Sequence, residues 1–96
     1  MLTFDEAREA LRAYLEEHPP AMAGTLYIAP EGLEDDAAYL PTWGAREALV
    51  EWRDAYIGFD NRALFVDKQT GEITVELRNA AHKRIMKMTP VRATEA

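Results

Sequence analysis

The 96-residue chain contains no cysteine and no serine, and only two histidines. The missing cysteines exclude a disulfide framework, thiolate nucleophiles, iron–sulfur clusters and cysteine-based zinc sites, and they fit a reducing compartment. Without serine, the commonest hydroxyl nucleophile of acyl transfer is gone as well. The chain also lacks the G-x-G-x-x-G, G-x-x-x-x-G-K-[ST] and H-E-x-x-H signatures of dinucleotide, phosphate and zinc sites. Neither a cofactor nor a metal is therefore expected, and the chain reads as a protein that is not an enzyme. Glycine and proline are sparse at five each, and no stretch reads as a linker or a low-complexity segment. No apolar run approaches the roughly 20 residues that span a bilayer. The opening Met1-Leu2-Thr3-Phe4-Asp5-Glu6 is acidic where a signal peptide is basic, so a cytoplasmic location and no membrane partner are expected.

Basic residues are the other shortage: 11 Lys and Arg stand against 17 Asp and Glu, a net charge of −6. Nucleic acid must be met by cations that displace its counterions, so it is not an expected partner, whereas a basic protein surface is. The charge also has a location. Residues 1–36 hold nine acids and two bases, or −7, and residues 79–96 hold four bases and one acid, or +3, so the two ends are expected to attract. A chain this short buries roughly 60–65% of its unfolded surface, which supports one domain over residues 1–96 and leaves apolar surface for a partner, a second copy included.

Thr3 followed by Glu6 is a capping box, and Phe4, Ala7, Leu11, Tyr14 and Leu15 recur on one face of the helix it opens. His18-Pro19-Pro20 ends that helix. Thr25-Leu26-Tyr27-Ile28-Ala29 reads as a strand stopped by Pro30, and Ala37 to Trp43 as a second, with Pro41 suggesting an edge or a bulge. Ala45, Ala48, Leu49 and Trp52 carry the spacing of a short helix after Gly44, although Trp43 to Val50 could instead prolong the strand. Ala63-Leu64-Phe65-Val66 is apolar throughout and leads through an Asp67–Gly71 turn into an alternating strand, Glu72 to Arg78, so one sheet face is expected to be wet. Asn79 is positioned to cap a last helix with Ala81, Ile85 and Met88 in its stripe and a basic patch of His82, Lys83, Arg84 and Lys87 on its outside; Arg92 to Ala96 is expected to fray. The resulting expectation is an α+β fold: an antiparallel sheet of about four strands with the N-terminal and C-terminal helices packed on one face.

The candidate recognition residues are the acids between the first two strands, Glu31, Glu34, Asp35 and Asp36, with Trp43, Trp52 and Tyr56 as aromatic anchors. The acidic stretch lacks the alternating oxygen donors and closing glutamate of an EF-hand loop, which argues against calcium.

Ala45-Arg46-Glu47 and Val66-Asp67-Lys68-Gln69-Thr70-Gly71-Glu72-Ile73, with Asn61 in register between them, resemble the bacterial immunity protein 35 family, whose pattern includes a charged A-R-E segment and V-D-[KR]-x-[TS]-G-E-[IV]. The likeness spans Gly44 to Glu76. Asp60 and Ala63 depart from the family's G-N-x-P, and after Leu77 a basic helix replaces its acidic one. The resemblance implies a small cytoplasmic bacterial protein that binds and neutralises a cognate toxin, with no catalytic residues to carry over. Charge complementarity points to a basic toxin domain, blocked by steric occlusion. The alternative is a phage or mobile-element accessory module, chaperone-like and without catalytic activity.

Overall fold

The structure is a computed structural model that describes residues 1–20, 24–51 and 62–94. Helix α1 (Phe4–Glu17) starts as its sequence requires: the Glu6 backbone N–H donates to Thr3 Oγ1 at 3.2 Å, and the Thr3 N–H donates to Glu6 Oε1 at 2.9 Å. At its end the His18 N–H donates to the Tyr14 carbonyl, and the imidazole stacks on the Tyr14 ring. The sheet contains β1 (Leu26–Glu34), β2 (Ala38–Ala45), β3 (Arg62–Asp67), β4 (Ile73–Leu77) and β5 (Thr89–Arg92) in the order β4-β3-β2-β1-β5, and every neighbouring pair is antiparallel. Two short helices, α2 (Arg46–Leu49) and α3 (His82–Lys87), complete the described α+β fold.

The fifth strand departs from the sequence expectation. Residues 89–92 pair with the second half of β1, placing Glu31 opposite Arg92 and Gly32 opposite Val91, and only Ala93 and Thr94 follow within the described residues. Pro30 does not stop β1 either. The β1–β2 register shifts between Ile28 and Gly32, so the proline sits in an irregularity where its missing N–H breaks no ladder bond. The Arg8 guanidinium reaches from α1 to this point, donating from Nε to the Ala29 carbonyl and from Nη2 to the Ile28 carbonyl, both at 2.9 Å. The β3–β4 turn closes as its residues dictate: Asp67 Oδ1 accepts from the N–H groups of Gln69 and Thr70, and Gly71 takes φ 76°. Helix α3 is capped differently from expectation. Its N-cap is Ala81, without a side-chain bond, and Asn79 lies in the preceding turn.

The terminal helices occupy opposite faces of the sheet, not one. Phe4, Ala7, Leu11 and Leu15 of α1 form one core cluster with Ile28, Tyr39, Leu64 and Val66. Ala38, Leu40, Ala63 and Phe65 point the other way and cluster with Ala81 and Met88, against which Ile85 of α3 packs. Alternation along β3 makes this split inevitable, because Leu64 and Val66 serve one face while Ala63 and Phe65 serve the other. In place of one wet face, exposure concentrates at the two edge strands: Thr74 and Val75 of β4 are exposed on opposite faces, and Thr89, Pro90 and Arg92 of β5 are exposed.

Gly32 lies where β1, β2 and Phe4 of α1 meet closely. A Cβ there would lie 2.7 Å from the Leu40 carbonyl oxygen, 2.9 Å from Phe4 Cζ and 2.9 Å from Pro41 Cα. Two of those neighbours are backbone atoms in paired strands, so Gly32→Ala is expected to destabilise the fold by about 1–3 kcal/mol in a urea titration.

Candidate functional site

The acidic stretch between the first two strands is mostly strand. β1 runs to Glu34 and β2 begins at Ala38, leaving a loop of residues 35–37. Asp35 shapes that loop itself: Oδ1 accepts from the N–H groups of Ala37 at 2.9 Å and Ala38 at 2.8 Å, and its own N–H donates to the Ala38 carbonyl. This is the local bonding that makes aspartate a turn former.

Three of the four candidate acids meet cations from distant parts of the chain. Glu34 Oε1 accepts from Lys68 Nζ at 2.8 Å, Asp35 Oδ2 accepts from Arg84 Nε at 2.8 Å, and Glu31 lies 3.9 Å from Arg92 Nη2. The expected attraction between acidic front and basic tail is thus realised in two specific pairs, Asp35 with Arg84 and Glu31 with Arg92, while the Thr94 hydroxyl also donates to Asp5. The pairs differ in kind. Glu31 and Arg92 are exposed and loosely spaced, an arrangement that contributes little to stability. Lys68 is buried to 8% exposure, with its ammonium 4.7 Å from the centre of the Tyr39 ring as well as on Glu34. Arg84 stacks over Phe65 at 4.2 Å and reaches Glu76 at 3.5 Å in addition to Asp35. Asp36 is exposed at the loop tip.

The protonation equilibria follow the geometry. Partial burial works to raise the Asp35 carboxyl, but the Arg84 bond and the N–H groups of Ala38 and Ala37 outweigh it and hold the group below the usual aspartate range. The Glu34 bond raises Lys68 against an opposing burial effect, and the Asp35 bond does the same for Arg84. Because the Asp35 pKa is lower in the folded state, its contribution is complete above roughly pH 4 and is lost as pH falls through the lowered value. Asp35→Asn is therefore expected to reduce stability at neutral pH and to flatten the acid limb of a stability–pH curve below about pH 4.

Glu34, Asp35 and Asp36 line an open depression with Lys68, Lys87 and Thr89. Its chemistry is that of a mixed-charge rim. Among the described residues no group of three His, Cys, Asp or Glu side chains is arranged to hold a metal ion, and no helix is long and apolar enough to cross a membrane. Trp43 is half-buried on β2 and packs against the α1 cluster, well placed to stiffen the sheet. Trp52 and Tyr56 lie outside the described residues.

Sequence reasoning missed Lys68 and Arg84 as parts of this region. Lys68 was hidden in a turn motif. Arg84, expected on the outside of the last helix, is half-buried instead, because the aromatic face of Phe65 and two carboxylates offer a planar guanidinium more than water does. The one available signal was the charge segregation between the two ends of the chain. Comparison with protein-family models, with curated proteins and with solved structures finds no match for this chain.

Proposed function

We propose that this chain is an immunity-type protein that binds a cognate bacterial toxin in the cytoplasm and neutralises it by steric occlusion. The observation that carries the reading is the division of labour along the acidic rim. Glu34 and Asp35 are held by Lys68 and Arg84, whereas Asp36 and the weakly paired Glu31 remain exposed. A rim of this kind presents negative charge on a fixed scaffold, the arrangement that speeds encounter with a basic protein surface. The D-K-Q-T-G-E segment that carries the family resemblance fits the same reading, since its Lys68 seats Glu34. Occlusion needs a complementary surface and no reactive group. In this reading Glu31 and Asp36 supply charge to the partner, Glu34 and Asp35 fix the shape of the rim, and Trp43, Trp52 and Tyr56 supply the aromatic anchoring.

The proposal predicts a toxin-domain gene beside this one, and co-expression of its product with the chain tests it. Growth should be restored by the chain and lost again on reversing Glu31 and Asp36 together. Continued growth arrest in the presence of the folded chain would overturn it.

A further inference from the structure

The two edges of the sheet are built differently. The β5 edge is four residues long, contains Pro90, which has no N–H to offer, and ends in Arg92. Those are the usual devices that keep an edge strand from pairing. The β4 edge, one residue longer, carries neither a proline nor a basic residue within the strand. Ile73-Thr74-Val75-Glu76-Leu77 is rich in β-branched residues and leaves Val75 42% and Leu77 63% exposed. No strand pairs with its outer side among the described residues.

The outer edge is also ready to form hydrogen bonds. The Asp67 N–H donates to the Glu72 carbonyl, so the alternation of an antiparallel ladder turns the backbone groups of Ile73, Val75 and Leu77 away from β3 and toward the open side. We propose that β4 pairs antiparallel with β4 of a second copy of this chain, with the twofold axis passing through Val75, so that the two sheets join into one.

The sequence of the strand selects both the partner and the register. Centred on Val75, the pairing sets Val75 against Val75, Ile73 against Leu77 and Thr74 against Glu76, and it brings Glu72 of each copy opposite Arg78 of the other. The outward backbone groups of Ile73, Val75 and Leu77 then all fall in the hydrogen-bonded pairs, giving about six new bonds. Both of the exposed apolar side chains gain cross-strand apolar neighbours, on the face where Ile73 already packs against the α1 cluster. Neighbouring registers are worse. Moving the centre to Thr74 sets Glu72 opposite Glu76, and moving it to Glu76 sets that residue against its own copy; like charges directly opposite are destabilising. A strand whose polarity reads the same way in both directions is what an isologous interface requires. The inference does not depend on the identity of any toxin.

The absence of cysteine makes the test clean. Opposed Cα atoms in a hydrogen-bonded antiparallel pair are about 5.5 Å apart, within the roughly 4.4–6.8 Å that a disulfide spans. Val75→Cys should therefore form a cross-linked dimer under mild oxidation, whereas Thr74→Cys, offset from its own copy on the other face, should stay monomeric on a denaturing gel. In sedimentation equilibrium the unmodified chain should dimerise. Glu72→Arg or Arg78→Glu alone should weaken the dimer by roughly tenfold, and the double swap should restore it. A monomer at every concentration up to the millimolar range would overturn the proposal. So would a dimer indifferent to both charge reversals, or equal cross-linking of the two cysteine variants.

Discussion

Phe65→Ala should lower stability by about 3–5 kcal/mol, read as a shift in the urea midpoint. Among the described residues Phe65 is the largest fully buried side chain, 1% exposed, and it sits in the cluster between the sheet and α3. Truncation leaves a cavity in a small core, and it also removes the ring over which Arg84 lies at 4.2 Å. Arg84 in turn holds Asp35 and Glu76, so the loss spreads from the core to the acidic rim. A shift of this size corresponds to about 12–40 °C in melting temperature for a domain of this length. Phe65→Leu separates the two components: it keeps most of the apolar volume but not the aromatic face, and it should uncouple Arg84 from the core at a cost of roughly 1–2 kcal/mol.

Leu11→Ala should cost about 2–5 kcal/mol on the opposite face. Leu11 has no exposed surface and lies one helical turn from both Ala7 and Leu15, at the centre of the α1 stripe that meets Ile28, Tyr39, Leu64 and Val66. An isolated helix of 14 residues is marginal in water, so α1 depends on this contact for its existence. Amide exchange is the sensitive readout. The backbone of α1 should lose protection before that of β3, because β3 keeps its Phe65 face packed when the Leu11 face is weakened. The two substitutions act on clusters that share only the sheet, so their costs should come close to adding.

Residues whose pattern is local were the legible part of this fold. The Thr3–Glu6 capping box, the Phe4–Leu15 stripe and the Asp67–Gly71 turn are each specified by neighbours in sequence, and each forms as read. The arrangement of the helices was legible in principle. An unbroken apolar run such as Ala63-Leu64-Phe65-Val66 needs cover on both sides, which two helices on one face could not supply. β5 was not legible, because residues 89–92 include a proline and gain their strand character only from the long-range pairing with β1. Of the site, the acids themselves were visible but their partners were not. Lys68 is 34 residues from Glu34 and Arg84 is 49 from Asp35, and no periodicity encodes such distances.

The central proposal is that the acidic rim is split between scaffold and recognition. Affinity for the proposed toxin partner, measured across a salt series for the natural chain and for the variant with Glu31→Lys and Asp36→Lys, tests it most directly. The variant should melt at nearly the same temperature yet bind more weakly, with a flatter dependence on salt. Unchanged affinity and salt dependence in a variant that folds normally would contradict it.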